Sequence, residues 1–135
     1  MQLKLSYTEI ESFVESKTNR ELPISYGGPH TLHLSYKVPL MSSVGLDINV
    51  DRILGTDLIL SYSGGAGIEF MVRTALKQFQ SQNQPGSEIL EILDGSRLLI
   101  ALGKSENLGP LFDRIDLQDI HFDEQSVMID FTPKP

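Results

Sequence analysis

The sequence predicts an α+β fold, a strongly bent, mostly antiparallel sheet of about eight strands packed on two amphipathic helices. Three observations carry that expectation. Short segments of alternating apolar and polar residues recur along the chain, as half-buried strands require. Only two stretches space their apolar residues for a helix. The links between consecutive alternating segments are too short for helical crossovers, so neighbouring strands run antiparallel.

Residues 1–5 alternate and form a first strand at an edge. Ser6-Tyr7-Thr8-Glu9 is a capping box, in which Ser6 accepts from the N–H of Glu9 and Glu9 reaches back to the cap. A helix follows over 7–18, with Tyr7, Ile10, Phe13 and Val14 on one face and Thr18-Asn19 at its end. Leu22, Ile24 and Tyr26 alternate, and Pro23 confines that strand to an edge or a strand start. After the Gly27-Gly28-Pro29 turn, Leu32, Leu34, Tyr36 and Val38 alternate with His33, Ser35 and Lys37 until Pro39 stops the strand. Val44, Leu46, Ile48 and Val50 alternate with Asp47, Asn49 and Asp51. Gly55-Thr56 turns the chain into a strand over 57–62, and these three strands form an antiparallel meander.

Ser63-Gly64-Gly65-Ala66-Gly67 breaks the alternation. The next helix, over 67–80, carries the stripe Ile68, Met71, Val72, Ala75, Leu76 and Phe79. Glu69, Arg73 and Lys77 ladder its opposite side. Phe70 falls on that polar side, and a sheet bent far enough around the helix buries it as a core residue. Residues 81–86 form a polar loop. Segments 89–93 and 97–102 flank Asp94-Gly95, a strong hairpin signal. A short helical turn falls within 105–114. In the strand over 115–122 the apolar phase slips between Leu117 and Ile120, which predicts a bulge near Gln118-Asp119. Val127, Ile129 and Phe131 close the sheet, and 132–135 form a frayed tail.

The 135 residues suffice for one domain, residues 1–135, with a core of its own. The absence of cysteine excludes disulfides and Cys-based metal or redox chemistry. No secretory h-region follows Met1 and no apolar run reaches the length of a membrane span, so the expected location is cytoplasmic. A net charge of −7, with Lys and Arg scattered from Lys4 to Lys134, opposes binding to nucleic acid or an anionic membrane surface.

Candidate chemistry yields to plainer explanations. Ser61-Tyr62-Ser63-Gly64-Gly65 imitates a nucleophile elbow, with Asp113, Asp116 and His121 following in order. An elbow needs a parallel sheet, and the context here is antiparallel. The glycines instead swing the chain from strand to helix. They match no phosphate-binding fingerprint and hold no Lys. Asp47, Asn49 and Asp51 begin like a calcium loop, but Arg52 and Leu58 stand where Gly and Glu are needed. They are the solvent face of a strand. His30, His33 and His121 have no convergent spacing, so no metal ligand is assigned. No catalytic residue or cofactor is assigned either, and the expectation is a protein that is not an enzyme.

A covering problem remains. About eight strands at roughly 4.8 Å spacing span nearly 40 Å, whereas two helices about 10 Å across cover only about half. The remaining apolar surface needs sheet curvature, an apolar ligand or a second subunit. The element order is helix, long meander, helix, hairpin, short helical turn and final hairpin. The last third contains Ile89-Leu90-Glu91-Ile92-Leu93-Asp94-Gly95-Ser96-Arg97-Leu98-Leu99-Ile100 and Leu111-Phe112-Asp113-Arg114-Ile115-Asp116-Leu117-Gln118-Asp119-Ile120-His121-Phe122. Together these features resemble small bacterial relatives of the tubular lipid-binding superfamily. That resemblance implies a bent sheet wrapped around a long helix, lipid held in the groove and no catalytic residues.

The expected function is therefore a non-enzymatic module for an apolar small molecule or lipid. Ile68, Met71, Val72 and Phe79 would share the ligand face with Leu34, Leu46 and Ile48. The alternative is a structural or homo-oligomeric interaction domain without ligand.

Overall fold

Residue alternation dictates the strands, but a computed structural model places them in two sheets rather than one. It describes residues 1–19, 21–37, 43–65, 67–82, 87–106 and 109–134. Expectations at Val38, Pro39, Ala66, 83–86, 107–108 and 135 lie outside the described residues.

The elements run in the expected order. They are β1 (Gln2–Ser6), α1 (Tyr7–Thr18), β2 (Ile24–Gly28), β3 (Thr31–Lys37), β4 (Ser43–Leu54), β5 (Asp57–Gly64) and α2 (Ile68–Ser81). Then come β6 (Leu90–Leu93), β7 (Arg97–Ala101), α3 (Gly109–Phe112), β8 (Ile115–Phe122) and β9 (Ser126–Pro133). Short 3-10 turns at Ser87–Ile89 and Leu102–Lys104 flank the β6–β7 hairpin. The larger sheet has the order β2-β3-β4-β5-β7-β6 and the smaller β1-β9-β8, with every pairing antiparallel.

The α+β class and antiparallel pairing hold, while the single bent sheet of about eight strands wrapped on two helices is corrected. Its cause is the pairing of the chain ends. β1 registers Gln2 with Asp130 and Leu5 with Val127, so the first strand joins the last. Among the described residues, the outer edge of β8 joins no further strand. Its Leu117 and Phe122 N–H groups donate to Gly55 O at 3.2 Å and Pro29 O at 2.8 Å, in two hairpin turns of the larger sheet. Those bonds lean the small sheet over the large one.

The core lies where the sheets meet. Ile115, Leu117, Ile120, Phe122 and Val127 pack with Leu58, Tyr7 and Phe112, and Leu32, Val50, Ile53 and Leu60 close around them. Gln118 is the extra residue of a bulge between Leu117 and Asp119, as the phase slip predicts. The bulge lets Leu117 and Ile120 both face inward.

One end of the core is locked by local chemistry. The capping box forms: Glu9 N donates to Ser6 Oγ at 3.1 Å, and Ser6 N donates to Glu9 Oε1 at 3.1 Å. The backbone bond from Ser6, then its side-chain bond, holds the Glu9 carboxyl below its ordinary range. Tyr7 N donates to Gln125 O at 2.9 Å, and the Tyr7 hydroxyl donates to Asp123 O. Burial first, then the charges of Asp123 and Tyr26, raises the Tyr7 hydroxyl above its usual range. These contacts fasten the start of α1 to the β8–β9 turn.

The other helix is held differently. Gly67 caps α2 at φ 85°, a conformation that favours glycine. None of the described residues of α2 is buried. Phe70 is 74% exposed, so its expected burial in the core is corrected. The small sheet packs on the large one around Leu58, whereas among the described residues α2 packs on β5 and β6.

Candidate functional site

Cross-strand register sorts the large sheet into two faces. Leu34 pairs with Leu46, Leu32 with Ile48, Ile48 with Tyr62 and Val50 with Leu60, which makes one apolar face. The opposite face is polar. Thr31 Oγ1 donates to Asn49 Oδ1, Ser61 Oγ donates to Asp51 Oδ1 at 2.9 Å, and His33 Nδ1 lies 2.7 Å from Asp47 Oδ1. Asp47, Asn49 and Asp51 therefore occupy the polar face, each with a partner.

On the apolar face, between α2 and strands β3 and β4, an open groove of about 390 Å³ remains. Its lining is Leu22, Leu34, Val44, Gly45, Leu46, Ile68, Met71, Val72 and Ala75. That volume falls in the range of small-ligand pockets, roughly 300–1,000 Å³. Close approach of helix and sheet depends on Gly64. A Cβ there would lie 2.6 Å from Ile68 Cγ2 and 3.0 Å from Gly45 O.

Five of the seven residues expected at a ligand face, Leu34, Leu46, Ile68, Met71 and Val72, line this groove. Ile48 and Phe79 do not. Ile48 sits one cross-strand pair further along the same face, between Leu32 and Tyr62. Phe79 lies one helical turn beyond Ala75, toward the end of α2 that Gln80 ties to β6 by donating to Leu90 O at 2.6 Å. Val44 and Ala75 were legible from the alternation and the helical stripe. Leu22 carries the same alternation, with Ile24 and Tyr26, although it lies just before β2, and only the structure brings it to the groove.

Elsewhere, Ser63 lies opposite Asp47 in the β4–β5 register. His121 instead pairs with Asp119 and Asp130 in the small sheet. β5 is antiparallel to both of its neighbours, which is not the parallel context an elbow requires. A second opening, polar and about 320 Å³, lies between the β4 and β8 bulges, with His30, Asp51, Arg52, Gln118 and Asp119 in its wall. His30 and His121 both approach Asp119, a convergence their sequence positions do not signal.

Among the described residues, no helix is long and apolar enough to cross a membrane. Comparison with protein-family models, characterised proteins and solved structures found no match to this chain.

Proposed function

We propose that the protein is a non-enzymatic module that binds an apolar ligand, a lipid chain or a molecule of similar character, in the groove between α2 and strands β3 and β4. The observation that carries this reading is the groove's lining, in which Gly45 accompanies only apolar side chains. Water in such a groove has few hydrogen-bond partners, so its displacement by an apolar chain is favourable. The open mouth suits a ligand that enters lengthwise with its polar end in solvent.

A second reading rests on a separate observation. Phe70 is 74% exposed and Met71 49% exposed on α2, and exposed aromatics are favoured interface anchors. On that reading a second copy of the chain covers α2.

Titration with an environment-sensitive fatty-acid probe, paired with native mass spectrometry, separates the two. Ligand binding predicts saturable fluorescence that Val72→Glu abolishes and Phe70→Ala leaves intact. Phe70→Ala should then change stability by less than about 0.5 kcal/mol. A dimer that Phe70→Ala dissociates, with no probe binding, would replace the carrier by the interaction domain.

A further inference from the structure

Asp119 and Asp130 lie directly opposite each other in the β8–β9 register. Two carboxylates so placed repel, and a fold that keeps them there needs a positive partner. His121, two residues beyond Asp119, joins them because the bulge at Gln118 resets which residues share this face. His121 Nδ1 stands 3.0 Å from Asp119 Oδ2 and 3.7 Å from Asp130 Oδ2. The donor atoms of all three residues lie within 4.8 Å of one another.

Two details distinguish this cluster from an ordinary ion pair. First, Nδ1 is buried yet makes no hydrogen bond, so at 3.0 Å it is not aligned with the nearest oxygen. Donors that share one ion behave in this way. With metal–ligand distances of roughly 2.0–2.2 Å, neighbouring donors sit about 3–3.5 Å apart and point at the ion rather than at each other. Second, each carboxylate's other oxygen has an outer partner. Gln2 Nε2 donates to Asp130 Oδ1 at 2.9 Å, and His30 Nε2 lies 3.5 Å from Asp119 Oδ1. His30 is itself positioned by its turn, where Pro29 O accepts from Phe122 N and His30 O from Val50 N. Outer partners of this kind orient metal ligands. The His33–Asp47 pair is the internal contrast, because its 2.7 Å contact is an aligned hydrogen bond to a single carboxylate.

We propose that Asp119, His121 and Asp130 form a binding site for one divalent transition ion of the zinc type, with Gln2 and His30 as positioning residues. An imidazole with two carboxylates suits such an ion better than calcium or magnesium, which take all-oxygen sets. The side chains remain 29–45% exposed, so solvent completes the coordination.

The test uses the full, untagged chain after treatment with a chelator. Zn²⁺ is titrated by calorimetry and Co²⁺ by visible absorption. One equivalent should bind, with a saturable Co²⁺ d–d band. Asp119→Asn and His121→Ala should each weaken binding by more than about a hundredfold, and His30→Ala by about tenfold. His33→Ala should leave it unchanged. A wild-type chain without a saturable Co²⁺ band overturns the proposal, and this result requires no variant to fold. Stoichiometric binding that survives His121→Ala, in a variant whose circular dichroism matches the wild type, overturns it equally.

Discussion

Leu58 and Leu34 share one apolar face of one sheet, yet they meet different fates. Leu58 is 8% exposed in the main core, with Phe112, Leu117 and Phe122. Leu34 is half-buried at the wall of an open groove. The difference lies in what covers each end. A second sheet, tied to the first by backbone bonds at Gly55 and Pro29, presents a broad surface over Leu58. A single helix crosses near Leu34 and buries none of its own described residues. Sheet-on-sheet contact closes a core, while one helix on a wide sheet leaves flanking grooves. Burial is therefore concentrated at the β8 end, and the open groove lies at the α2 end.

The largest test of that division is Phe122→Ala. Phe122 is 7% exposed, and its removal should cost about 3–5 kcal/mol in chemical denaturation. Val72→Ala, in the half-buried stripe of α2, should cost about 1 kcal/mol or less. Equal costs would mean that the two ends form one core and would break the comparison.

A smaller effect comes from Gly64→Ala. The new methyl group meets Ile68 Cγ2, Ile68 Cβ and Gly45 O, none of which can retreat without moving α2 or β4. Overpacking of this kind costs about 1–3 kcal/mol and should widen the groove, which a changed probe affinity would report. Gly65→Ala meets nothing within 4 Å and serves as the control. A neutral Gly64→Ala would show that α2 rides loosely on the sheet.

The smallest effect is a pH dependence confined to the covered end. Asp123 Oδ1 accepts from Gln125 N at 2.8 Å and from Ser126 N and Oγ at 2.6 and 2.9 Å. The backbone bond from Gln125, then the Ser126 hydroxyl, holds its carboxyl below the ordinary range. A carboxyl depressed on folding adds stability above its unfolded pKa and loses that contribution as pH falls through its folded pKa. Denaturation midpoints should therefore drop on acidification in that window. Asp123→Asn should flatten this part of the profile, and an unaltered acid limb would assign the acid sensitivity to other carboxylates.

Much of this molecule was decided locally. The Ser6–Glu9 capping box, the α1 span, the β3–β5 meander and the Gln118 bulge follow from spacing alone, because caps, periodicity and phase act over a few residues. Periodicity also names the apolar faces, which is why the apolar groove residues were legible as members of strand or helix faces. It cannot say which faces meet. That choice depends on pairing between chain ends more than a hundred residues apart, as when Gln2 meets Asp130, and on the balance between loop-closure entropy and burial summed over the whole chain. The tertiary structure therefore decided that the sheet divides in two, that Phe70 faces solvent, and that His30, Asp119, His121 and Asp130 converge. Each outcome rests on contacts between segments distant in sequence, for which no local pattern carries a signal.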